Sequence, residues 1–246
     1  MKPQFAENYA NLEQWHWWFR GRQRILEAVL RRHQNGREAL SVAAVGCGPT
    51  FGLSWLNSFA TPEGRVIGLD SDQRHGRNAP QGIHFVVGKL EEVPLRDFTF
   101  EIVMALDVLE HLDDDVTGLV NAFRLVKPKG VLLVTVPALP SLWGQQDEVS
   151  HHKRRYTKRM LQITFEKAGL PRPSISYFNT LLFPPIAAIR WSRRILGTSN
   201  AGRSDFEDTR PGLTNTVLAN LFAVERYFIQ RIPFPFGVTL LATLRC

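Results

Sequence analysis

Apolar positions along the chain fall into two rhythms: short unbroken runs, and stripes in which the spacing is three or four residues. Runs at 40–45, at 84–87, at 102–106 and at 131–136, with a further run that ends on Asp70, have the length of strands. Their near-continuous hydrophobicity is that of parallel strands covered on both faces. Between them lie helical patterns. Ile25, Leu26, Val29 and Leu30 mark a helix running to about His33, with Asn35 and Gly36 as its stop, and 53–59 is a short apolar helix. Val116, Leu119, Val120 and Phe123 fall at i, i+3, i+4 and i+7 behind the cap Asp113, and Lys127-Pro128-Lys129-Gly130 ends that helix in a tight turn. A further helix is capped by Thr157 and ended by Gly169. Runs at 175–178 and 238–244 make a sixth and a seventh strand, separated by a helical insertion over about 184–236. The insertion holds a segment at 185–196 with Ile186, Ile189, Trp191 and Ile195 among Arg190, Arg193 and Arg194, then a link at 197–208. It closes with a helix striped by Leu213, Val217, Leu221, Val224 and Phe228, expected to pack over the sheet or against a second copy. Strand and helix alternate, which excludes all-β and all-α folds and predicts an α/β sheet with helices on both faces.

Composition adds bounds. A chain of 246 residues, 44% hydrophobic, can bury one sizeable core. We therefore expect one structural domain: an aromatic-rich helical cap over 1–38, a core over 39–170, and the last two strands with their insertion over 171–246. Thirty Lys and Arg against 23 Asp and Glu give a net charge of +7, which favours an anionic partner. Two cysteines make no disulfide framework and fit a reducing compartment. The first residues have no apolar leader pattern, and the run at 181–189 holds two prolines and falls far short of the roughly 20 residues of a membrane span. The expectation is a cytoplasmic protein, with peripheral contact at the inner membrane face through the basic, amphipathic insertion.

Candidate chemistry gathers where the first strand meets its helix. Gly46, Cys47 and Gly48 form a turn at the carboxyl edge of the sheet, and Asp70 follows about 20 residues on, at the end of the second strand. Glycines let the backbone approach a ligand and a carboxylate can take both ribose hydroxyls, so the ligand is nucleoside-like. Trp15, His16, Trp17, Trp18 and Phe19, followed by Arg20, Arg22 and Arg24, either fasten the first helix to the sheet or cover this ligand while Arg20 meets its carboxylate.

The segments VGCG, VIGLD, EIVMALDVLEHL and LVKPKGVLLVTVP, in this order, resemble the class I S-adenosylmethionine-dependent methyltransferases over roughly residues 39–170. HWWFRGRQRIL and HHKRRYT look like a bacterial subgroup of that family. The resemblance implies a Rossmann-like sheet of seven strands, mostly parallel with the last antiparallel, and S-adenosylmethionine as cofactor. It implies Gly46, Cys47 and Gly48 near the methionyl part, Asp70 and Ser71 at the ribose, Lys89 and Leu90 beside the adenine, and Leu106 and Asp107 as the floor. Two positions depart from the family pattern. Ala44 stands where an acid usually helps to hold the cofactor's amino group, and Lys89 where an acid accepts from the adenine; each loss weakens binding about 10-fold or more unless another side chain stands in.

Methyl transfer from a sulfonium asks for alignment, exclusion of water and, for an oxygen or nitrogen acceptor, a base. His111, His151 and His152 are the candidate bases. The stretch 137–156 is the expected acceptor wall, with Trp143, Arg154, Arg155 and Tyr156 toward the substrate and an arginine toward an anionic group. His151 and His152, being adjacent, point apart, so Asp147, Glu148 and this pair are expected to hold no metal. The leading reading is a methyltransferase for a small-molecule or lipid-linked acceptor, by O- or N-methylation. The alternatives are a nucleic-acid methyltransferase, for which no basic stripe or RNA-binding module is visible, and a cofactor-binding relative without transfer activity. The spacing after Gly48 and the DVLEHL segment argue against a nicotinamide oxidoreductase.

Overall fold

The computed structural model describes residues 11–34, 41–60, 64–197, 204–229 and 231–246; the expected stop at Asn35 and Gly36 and the 198–203 part of the 197–208 link lie outside them. Seven strands form one sheet: β1 Val42–Val45, β2 Val66–Asp70, β3 Ile83–Val87, β4 Phe100–Leu106, β5 Val126–Pro137, β6 Ser174–Phe178 and β7 Thr239–Arg245. Their order is β3-β2-β1-β4-β5-β7-β6. Neighbours from β3 to β5 run parallel, and β7 lies antiparallel to both β5 and β6. The chain reverses its direction of winding between β1 and β4, and this opens a crevice at the carboxyl ends of those strands.

Successive side chains on a strand point to opposite faces, and the two faces carry different cores. Ala43, Val45, Val103, Ala105, Leu132 and Val134 pack under α2 (Asp115–Arg124) and α4 (Lys158–Lys167) through Leu119, Ala122, Leu161 and Phe165. Val42, Ala44, Ile102, Met104, Val131 and Leu133 face α1 (Trp17–Gln34), which contributes Ile25, Leu26, Val29 and Leu30. Further helices among the described residues are α3 (Gln145–Val149), α5 (Phe183–Ile195) and α6 (Leu213–Ala223).

Several local expectations are corrected. The segment after the glycine turn is a 3₁₀ helix, Thr50–Ser58. Its inward residues Thr50, Leu53, Leu56 and Phe59, at most 7% exposed, recur every third position, which is the period of that tighter helix. Asp114, not Asp113, caps α2, accepting from Thr117 N at 2.9 Å. Lys127-Pro128-Lys129-Gly130 does not precede β5 but bulges within it: Val126 pairs with Phe100 and Val131 with Ile102, and Lys129 takes a φ of 67°. The stripe on α6 faces outward, with Leu213 81% and Val217 55% exposed. The face of α6 that packs is the small one, Asn215, Ala219, Phe222 and Ala223, because it meets α1 at Gly21, where a Cβ would collide with Phe222. Asn215 then ties the two helices, accepting from Trp17 N at 2.7 Å and donating to Trp15 O.

Candidate functional site

A cavity of about 990 Å³ opens over the carboxyl ends of β1, β2 and β4. Its first half is built by the glycine turn. Gly46 and Gly48 both adopt φ of 62°, in the left-handed region that favours glycine. A Cβ on Gly46 would press into Val108 at 2.6 Å, whereas one on Gly48 would meet nothing within 4 Å, so Gly48 presents an open face to a ligand. Asp70 accepts from Gly48 N at 2.8 Å and from Asp72 N at 3.0 Å, and His75 Nδ1 lies 3.1 Å from it. Burial pushes the Asp70 carboxyl up, but these donors outweigh it and hold the group below the usual carboxylate range. Burial, and then the charge of Asp70, push the Cys47 thiol well above its ordinary value, so Cys47 is a packing residue here and no nucleophile.

The N-terminal segment closes this half. Glu13 reaches the glycine turn with an oxygen that lacks a hydrogen-bond partner among the described residues, and burial, partly offset by Arg22, raises it to about 8. Arg22 Nη2 pairs with Asp107 Oδ2 at 2.5 Å and donates to Thr135 Oγ1 at 3.1 Å, and its guanidinium stacks on Trp18 at 4.8 Å. Thr135 in turn donates to Asp107 Oδ1 at 3.1 Å. Arg20, the arginine expected at the cofactor, lines a smaller cleft behind the turn instead; two positions along α1 place Arg22 at the main cavity. Ser71, Lys89, Leu90 and Leu106 line the same half.

The second half is a chamber under α3 and α5. Asp147, fully buried, accepts from Arg155 Nε at 2.8 Å, stands 2.9 Å from His152 Nδ1, and lies 3.8 Å from Arg190. Burial alone would raise the Asp147 carboxyl, but His152 and the two guanidinium groups bring it down to about 2. His152 stacks edge-on against His111 with centroids 4.7 Å apart. Burial, and secondarily His152, lower His111 to about 4, so its imidazole is neutral near pH 7. Beside them Glu110 is 0% exposed, and neither carboxylate oxygen has a hydrogen-bond partner among the described residues. Its carboxyl is raised by burial first and by Asp107 next.

Of the residues expected at the acceptor, His111, His151, His152 and Arg155 line the cavity. Trp143, Arg154 and Tyr156 do not. Trp143 Nε1 donates to Glu148, Arg154 donates to Leu112 O and pairs with Asp115, and the buried Tyr156 hydroxyl donates to Asp115 Oδ2 at 2.7 Å. These three brace the 137–156 segment. Residues that sequence reasoning did not select complete the chamber: Gln146, Asn179, Arg190, Arg193 and Phe206. Asn179 adopts φ of 59° and is fully buried, with both side-chain atoms lacking a hydrogen-bond partner among the described residues.

Residues 43–134 match the family model described as a methyltransferase domain. The chain is 33% identical over 124 residues to a Mycolicibacterium smegmatis protein that its name assigns to the S-adenosylmethionine-dependent methyltransferases, covering 49% of this chain and 46% of that one. It is 28% identical over 153 residues to the trans-aconitate 2-methyltransferase of Azoarcus, covering 60% and 57%. The chain thus spans about half the length of the curated relatives it matches. Among solved structures, an S-adenosylmethionine-dependent methyltransferase from Mesorhizobium loti superposes with a TM-score of 0.54 at 14% identity, over 89% of this chain and 96% of that one, which shows a shared fold.

Proposed function

We propose, from the methyltransferase domain that residues 43–134 match, that this chain binds S-adenosylmethionine and methylates an oxygen or nitrogen of a small-molecule or lipid-linked acceptor. The observation that carries the reading is one continuous cavity with two chemically distinct halves. The first half fits the cofactor: Gly48 leaves an open face, and a carboxylate at Asp70 has lone pairs to spare for a diol after its backbone bonds are made. Glu13 offers an acid to an ammonium end, standing in for the acid absent at Ala44, and Leu90 offers an apolar side to the base. When bound, S-adenosylmethionine supplies a methyl group already activated by its sulfonium.

The work left to the protein is alignment, exclusion of water and proton removal. Trp18, His16 and Phe206 close the cavity from the N-terminal side. The neutral imidazole of His111 and the ring of His152 face the chamber as candidates to take the acceptor's proton, with Asp147 holding the orientation of His152. Arg190 and Arg193 suit an anionic group on the acceptor, and Ile186 and Ile189 an apolar one. The outward apolar surface of α5 and α6, with Arg194 exposed beside it, supports peripheral contact with an anionic membrane. Among the described residues no helix is long and apolar enough to cross a membrane.

Calorimetry tests the reading. S-adenosylmethionine and its demethylated product should bind and NAD should not, and Asp70→Ala should weaken binding by about 10-fold or more. Mass-shift screening of extracts with wild-type protein should then reveal a methylated product. Absence of heat at saturating cofactor overturns the assignment.

A further inference from the structure

We propose that Glu110, His111 and His152 form a binding site for one divalent transition ion of the zinc type at the floor of the acceptor chamber. One ligand atom from each of the three residues can be chosen so that all lie within 4.8 Å of one another. A tetrahedral ion at about 2.1 Å from each ligand needs edges of about 3.4 Å, so side-chain closure of about an ångström completes the set. Two nitrogens and one carboxylate oxygen are the donor set that such ions favour.

Two independent observations point to a cation. The Glu110 carboxyl is fully buried with no hydrogen-bond partner among the described residues on either oxygen, an arrangement whose ionised form costs several kcal/mol and is relieved either by a proton or by a cation. His152 is already fixed as metal-binding histidines are. Its Nδ1–H donates to Asp147 Oδ1 at 2.9 Å, which leaves the Nε2 lone pair directed toward Glu110 Oε1, 4.0 Å away. Asp147 is held in turn by Arg155, so ring orientation is set before any ion binds. The site opens into the chamber, leaving coordination positions for an acceptor.

This inference deepens the methyltransferase reading and, for the role of the ion, rests on it. An acceptor hydroxyl on the ion loses its proton to water more readily than a free one. Its oxygen pair then forms the new bond to the methyl carbon as the carbon–sulfur bond breaks and that pair returns to sulfur.

Chelator-treated, untagged protein is titrated with Co(II), read by its visible absorption, and with Zn(II), read by calorimetry. One equivalent should bind with a Kd in the micromolar range or below. His152→Ala and Glu110→Gln should each weaken it at least 10-fold, and far-UV circular dichroism checks that the variants fold. Glu110→Asp, which keeps the charge, should retain more affinity than Glu110→Gln. No stoichiometric uptake, or uptake indifferent to the three substitutions, overturns the site. S-adenosylmethionine calorimetry on the same metal-free samples separates the two claims: cofactor binding without Co(II) uptake leaves methyl transfer with imidazole as base, and Co(II) uptake without cofactor binding leaves the metal site alone.

Discussion

On the proposed reading, Glu13 takes over a task from another part of the chain. The strand position that would carry an acid is Ala44, buried at 4% exposure, while Glu13 brings its carboxylate to the same glycine turn from the N-terminal segment. With no ligand, burial holds Glu13 up at about 8, so it is mostly protonated at neutral pH. An ammonium partner needs the ionised form. Cofactor binding therefore costs the removal of that proton below pH 8, and affinity should rise as pH climbs toward about 8.5. Glu13→Gln should bind about 10-fold more weakly at that pH and lose the slope, as calorimetry across the range will show. Glu13 could not be chosen from sequence, because its distance along the chain from the glycine turn gives no periodic or motif signal, and Arg22 stood beside Arg20 and Arg24 with nothing local to single it out. Gly46, Gly48 and Asp70 could, since a turn, a positive φ and a strand end impose those residue types locally. Glu110 and His111 were legible as neighbours, but their meeting with His152 depends on how residues 137–156 fold back over β4.

Among the elements, α1 and α6 make the contact on which the roof of the cavity depends. Phe222 lies where a side chain on Gly21 would be, and it is stacked on Phe178 with centroids 6.0 Å apart, so it has no room to retreat. A larger residue at Gly21 gains up to about 1 kcal/mol of helix propensity but costs about 1–3 kcal/mol in overpacking, more for a branched side chain. Gly21→Val should lower unfolding free energy by about 2 kcal/mol, measured by urea denaturation, with the α6 region losing hydrogen-exchange protection first. The same contact explains the outward stripe. Periodicity located an amphipathic helix correctly and offered its larger apolar side to the sheet or to a second copy, and the sheet is not what it meets. A face of Asn and Ala reads as weakly hydrophobic, yet it is what allows two helices to approach closely, and only the partner helix reveals that. The central strands β1, β4 and β5 were readable because strands buried on both faces are largely apolar. The 3₁₀ form of the helix after β1 was not, because a short apolar run marks a helix without setting its period.

At the scale of the molecule, the net charge of +7 coincides with an outward apolar surface on the insertion, where Ile195 is 84% and Leu213 81% exposed. Peripheral binding of that surface to a lipid bilayer predicts sedimentation with anionic vesicles, release by salt, and loss in Val217→Asp. A concentration-dependent dimer lost in the same variant would assign the surface to a second copy instead. The wedging of β7 between β5 and β6 has a further consequence, for the order of assembly. Until residues 239–245 leave the ribosome, β6 has no strand to pair with and β5 offers a bare edge. Asn215 must likewise emerge before it can clasp Trp15 and Trp17. The nascent chain consequently carries an open sheet until residue 245 has emerged and becomes capable of enclosing a ligand only then.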